Sequence, residues 1–126
     1  MSGMLPVALL IYAAASLFHH VHNAVFVDAY PSMPAWLTAS HVYAAWLAVT
    51  AVGVLGYLLH RRGHRLAGLC VMALYAAFGL YSLLHYHLAP IAAHTAMMHL
   101  SILAEVASGL LLLGTVATLM LPTQAQ

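Results

Sequence analysis

"HRRGHR" (His60–Arg65) decides how this chain is divided. It holds all three of the basic residues in a sequence of 126. Apolar sequence flanks it on both sides, from about Ala35 to Leu59 and from about Leu66 to His85. A helix crosses about 30 Å of hydrocarbon with about 20 apolar residues. Residues 35–85 are therefore too long for one crossing and suit two. The polar turn around Gly63 separates them into a hairpin.

The same ruler finds two more spans outward from this hairpin. One runs from about Leu5 to Val27, and one from about Pro90 to Leu121. The last is longer than a crossing needs. Local signals bound them. Pro6 suits the first turn of a helix, where its missing N–H costs nothing. "DAYPSMPAW" (Asp28–Trp36) carries two prolines, an acid and aromatic residues, and reads as a turn at an interface. "HLAP" (His87–Pro90) is a short turn, and Pro122 closes the fourth span. Residues 1–126 thus form a single domain: an all-α polytopic membrane protein, a four-transmembrane-helix bundle with short loops.

Composition agrees. Only 4% of residues are charged and 65% are hydrophobic, too little polar cover for a soluble domain. No basic stripe tracks phosphates, so nucleic acid is excluded as a partner. The expected environment is the lipid bilayer, with a second membrane protein or further copies of the chain as expected partners. The first span lacks a basic leading segment and is too long for a signal peptide's apolar core. The positive-inside rule puts the arginine loop and both termini in the cytoplasm of a cytoplasmic membrane. Cys70 is the single cysteine and cannot form an internal disulfide.

Histidine breaks the pattern, with ten residues against two acids. Imidazole ligates metals, shuttles protons and stays neutral near physiological pH. His60 and His64 flank the arginine loop and read as solvated. The other eight fall at the opposite end. His19, His20 and His22 close span one, and His41 opens span two. His85 and His87 close span three, and His94 and His99 lie early in span four. Glu105 is the acid within a span, where an unpaired charge is costly and marks a functional site.

Helical phase sorts these groups. Tyr12, Ser16, His19 and Asn23 share a stripe with His22 beside it, while His20 points about 100° away. Tyr75, Gly79, Ser82 and Tyr86 share a stripe with His85 at its edge. His94, Met98, Ser101 and Glu105 share another, bordered by Met97. Tyr43, Thr50 and Tyr57 form the stripe of span two, with His41 on the other face. Ala44, Ala48, Gly53 and Gly56 are expected helix-contact positions. Each span is thus expected to turn polar groups toward one layer of the interior.

The expected site is a transition-metal centre formed by His19, His22, His85, His94, His99 and Glu105. His20, His41, His87, Asn23, Met97, Met98 and Ser101 are candidate further ligands or supports. Imidazole suits copper, iron and zinc, and thioether favours Cu(I), so copper or iron is preferred over zinc. The role is metal handling, redox chemistry or an oxygenase-like reaction. No spacing matches H-E-x-x-H, so the site must assemble across helices.

Two other readings stand beside it. A haem b could sit between His19 or His22 and His85 or His99, making an electron-transfer subunit that meets quinone. Alternatively, the chain is an accessory subunit whose histidines hydrogen-bond within the bundle and respond to pH. Glu105 is then a neutral acid bonded to Ser or His. No nucleophile motif surrounds Ser16, Ser82 or Ser101, and a zinc hydrolase with Glu105 as base fits on residue types alone.

Overall fold

The computed structural model describes residues 3–121. It is helical throughout, with four helical segments long and apolar enough to span a membrane. Helix α1 runs Met4–Val25 and α2 runs Ala39–Arg61. Helix α3 (Arg65–Leu80) continues through a 3-10 turn, Tyr81–Leu83, into α4 (Leu84–Leu88), and together these make the third span. Helix α5 runs Ala96–Met120. At a rise of about 1.5 Å per residue, each span is about 33–38 Å long, enough for the hydrocarbon layer.

Several boundaries differ from the sequence reading. The second span starts at Ala39, not Ala35, because Thr38 is extended and caps the helix. His41 Nδ1 accepts the Thr38 backbone N–H at 3.2 Å, a reciprocal cap with imidazole in the role usually taken by Glu or Gln. The fourth span starts at Ala96, not Pro90. Pro90 leads into a 3-10 turn, Ile91–Ala93, and His94 is extended. Thr95 is the cap, its Oγ1 accepting the Met98 N–H at 3.3 Å. His94 therefore lies on a loop and shares no helical stripe with Ser101 and Glu105. The first span ends at Val25, and the expected stop at Pro122 lies outside the described residues.

The 3-10 turn in the third span shifts its phase. Residues three apart eclipse in this geometry. Gly79, Ser82 and His85 therefore form one inward column, and all three are buried. His85 moves from the border of its stripe to the centre, and Tyr86 becomes half-buried.

Helices α1, α3 and α5 pack together, and α2 lies against α1 and α3 only, short of α5. Glycines set the approach. A Cβ on Gly79 would lie 2.7 Å from the Tyr12 ring, and one on Gly109 would lie 3.6 Å from it. Tyr12 is fully buried in this notch. On the α2 side, Gly53 receives the Tyr75 ring and Gly56 receives Met72. Gly53 and Gly56 are thus the contact positions of α2, while Ala44 and Ala48 are exposed on its outer face. Leu5, Ala8, Leu69, Met72, Leu112 and Val116 fill the half of the bundle nearer the arginine loop. The interior is apolar there and polar at the histidine-rich end.

Gly68 is the tightest crossing: an added Cβ would meet the His60 backbone nitrogen at 2.5 Å. Gly68→Ala is expected to destabilise the bundle by about 1–3 kcal/mol through overpacking against backbone that cannot yield. Gly114→Ala, where nothing lies within 4 Å, serves as the control and is expected to match or exceed the parent. Thermal unfolding in detergent compares the two.

Candidate functional site

The site is a register built upward from the Tyr12 notch. One helical turn toward the histidine-rich end, α1 offers Ser16, the third span offers Ser82 and α5 offers Glu105. One turn further lie His19, His85 and Ser101. All six are buried. The spacing follows from the helices: residues three or four apart share a face, and α5 runs opposite to α1 and α3, so its numbers fall as theirs rise.

Glu105 is 1% exposed. Ser82 Oγ donates a hydrogen bond to its Oε2. His19 Nε2 lies 3.7 Å from that same oxygen. This is too long for a hydrogen bond. The protonation of His19 follows from its other nitrogen. Ser101 Oγ spends its proton on the Met98 carbonyl at 3.0 Å. It can therefore only accept from His19 Nδ1–H, 3.2 Å away. His19 Nε2 then carries a bare lone pair, aimed at a carboxylate. With Glu105 ionised, two acceptors then face each other across this gap. A proton on the carboxyl or a bound cation would relieve such an approach; for a metal with bonds of about 2.0–2.2 Å to nitrogen and oxygen, two donors at a tetrahedral angle lie about 3.4 Å apart.

His85 comes next. Its ring centre is 5.3 Å from that of His19, at 74°. Asn23 Nδ2 lies 3.3 Å from His85 Nε2. The His85 Nδ1 and Asn23 Oδ1 atoms are buried without partners among the described residues. His94 donates from Nδ1 to the Pro90 carbonyl at 3.0 Å, which leaves its buried Nε2 unpartnered as well. Such backbone bonds fix the ring of a ligating histidine. Buried polar atoms are usually paired; three of the unpartnered ones gather here, while Tyr12, Trp46, Thr50 and His60 carry others elsewhere in the bundle.

The remaining candidates divide. His20, expected to point away, is instead drawn in: its Nδ1 donates to the Ser16 carbonyl at 2.8 Å and lies 3.7 Å from Glu105 Oε1. His22 is held by the Tyr30 hydroxyl at 2.8 Å, and His99 by Tyr86 at 2.7 Å. Both are half-buried. His99 stands 5.8 Å from His94, ring centre to ring centre, away from Glu105's own contacts. His41 and His87 are exposed, and span two brings no titratable side chain to Glu105. Met97 is exposed, and Met98 Sδ accepts the Thr95 N–H, so neither thioether joins the carboxylate. Among the described residues, no three His, Cys, Asp or Glu side chains already form a complete metal-holding group. What the bundle brings to Glu105 is His19 and His20, each 3.7 Å away, with His85 beside His19.

Tyr30 was not a sequence candidate. The loop after α1 folds back over the bundle and buries it to 3% exposure. Its ring lies 4.9 Å from His85, and its hydroxyl reaches toward Ser101 at 3.5 Å. Burial is the main cause pushing its phenol above the ordinary range, with the Ser101 contact opposing. Flanking turn residues were its one signal, and they read equally as an interface anchor.

Tyr30→Phe is expected to cost about 0.5–1.5 kcal/mol through the lost bond to His22. Because burial raises the phenol pKa in the folded state, stability is intact below the ordinary value of about 10 and falls as pH rises past it. The gap between parent and variant should therefore narrow at alkaline pH, as measured by denaturation across a pH series.

Compared with known proteins, the chain matches no family, no curated protein and no solved structure.

Proposed function

We propose that this protein binds a transition-metal ion within the membrane, at the histidine-rich end of the bundle, and uses it in metal handling or redox chemistry. The single observation that carries the reading is the His19–Glu105 pair: a bare imidazole lone pair facing a buried carboxylate at 3.7 Å. Without a cation between them, both the burial and the mutual approach are unfavourable. His85, its ring 5.3 Å from that of His19, is the third ligand, through Nε2 once the ion takes the place of the Asn23 amide. Two histidines and one carboxylate are the donor set of non-haem Fe(II) sites, with open positions for a further ligand. Neither Met97 nor Met98 offers its thioether to Glu105, which favours iron over Cu(I). By the positive-inside rule, the arginine loop faces the cytoplasm and the ion lies toward the outer surface.

Elemental analysis with an optical spectrum, on protein purified from cells grown with iron, copper and zinc, tests this. The expected result is a stoichiometric metal with no Soret band, lost in Glu105→Gln and in His19→Ala. A stoichiometric Soret band would select haem instead. Folded parent protein that takes up no metal on challenge would overturn the proposal and leave the histidines as structural groups.

A second expectation separates function from stability. Glu105→Gln removes a costly buried charge while keeping the shape. Metal-free Glu105→Gln should unfold at the same temperature as the metal-free parent or higher. With metal present the order should reverse, because a ligand bound only to the folded parent stabilises it.

A further inference from the structure

A pocket of about 270 Å³ opens beside Glu105, His19 and His85, lined from α1, α2, the third span, α5 and Met33 of the loop between α1 and α2. Its two ends differ in chemistry. At one end stand His19, Asn23, His85 and Glu105. The walls away from them are Ala45, Val49, Phe78, Leu84 and Leu88. Leu84 and Leu88 are 41% and 42% exposed, Ala45 is exposed, and all three lie on membrane-spanning segments. The apolar rim is therefore met by lipid. This is also the side on which α2 stands away from α5.

We infer that this pocket receives a small amphipathic molecule from the bilayer, with one hydroxyl-bearing head and an apolar body about one ring in size. The inference rests on the proposed function for what the head meets. Volume sets the size: an engineered apolar cavity of about 150 Å³ holds benzene, so this pocket takes a single ring with short substituents. Asn23 Oδ1 sets the head. It belongs to the lining, it is buried, and it is an acceptor without a donor. An O–H donates to it while the oxygen turns toward Glu105 and the imidazoles. The apolar body then lies along Ala45, Val49, Phe78, Leu84 and Leu88, with Tyr81 on the same lining and Ser82 already hydrogen-bonded to Glu105. A water-soluble anion or sugar fits neither the walls nor the mouth.

Phenol and toluene are the probes, the same ring with and without the hydroxyl. Binding to nanodisc-embedded full-length protein is measured by calorimetry, against empty nanodiscs, on metal-loaded and metal-stripped samples whose metal content is assayed in parallel. Phenol is expected to bind above the empty-disc background and more tightly than toluene. Ala45→Trp fills the rim from α2 without touching the polar end and is expected to weaken phenol by about tenfold or more. Asn23→Leu is expected to abolish the preference for phenol over toluene. Phenol that partitions as into empty discs, or that binds Ala45→Trp as well as the parent, overturns the inference. A pocket that binds phenol in protein that takes up no metal leaves the inference standing and removes the metal reading. Metal uptake without phenol binding does the opposite.

Discussion

Tyr12 packed onto Gly79, where Gly109 closes against Gly79 and Ala76, is the constraint on which the rest of the bundle depends. It fixes the spacing and the relative height of three helices at once. Helices in lipid gain nothing from hiding apolar surface from one another, so packing contact and close approach must hold them together. A ring seated against two glycines supplies both. Once that layer is set, helical geometry dictates what lies above it: two serines and Glu105 one turn up, then His19, His85 and Ser101. The site inherits its geometry from a contact that carries no chemistry of its own.

The two halves of the interior then do different work. Below the notch, Leu69, Met72, Leu112 and Val116 pack as an ordinary apolar core. Above it, Ser16, His19, Ser82, His85, Ser101 and Glu105 are buried beside apolar Met98 and Ile102, and several buried atoms lack partners. A half-satisfied network in a medium without water is destabilising. The lower half must therefore supply the stability that the upper half lacks. This is the usual relation between a scaffold and a strained functional region. It also explains why glycine contacts gather where α2 meets the third span: α2 supplies no titratable group to Glu105 and is held by Tyr75 on Gly53 and Met72 on Gly56.

The four spans were legible because lipid imposes a length that apolar sequence must match, and the arginine turn punctuates it. Glu105 and the inward faces of α1 and α5 were legible from period alone. Three features were not. The 3-10 turn at Tyr81–Leu83 changes the period without a proline or glycine at that place to announce it, so His85 moved from a border to the centre. The start of α5 was masked because residues 90–95 are as apolar as a helix, and Thr95 as a cap resembles any membrane threonine. His20 was placed by the direction of its Cβ, whereas a hydrogen bond to the Ser16 carbonyl turns its ring back toward Glu105. Each miss is a side chain or backbone bond overriding a regular helix.

The number of histidines also reads differently once each ring is placed. Counting eight at one end suggested a large ligand set. Yet His41 closes a helix cap, His22 and His99 are tied to tyrosines, and His94 is tied to the Pro90 carbonyl. These are tasks that Glu, Gln or Asn perform in water-soluble proteins. Near a membrane surface a neutral imidazole serves them without introducing a fixed charge, while offering one donor and one acceptor on a largely apolar ring. The abundance of histidine therefore has two causes. Most of it answers the shortage of water at the ends of these helices. What stands apart is the place where histidine meets the buried carboxylate: His19 Nε2 lies 3.7 Å from the Glu105 oxygen that Ser82 also holds, and no backbone group or tyrosine ties that nitrogen down.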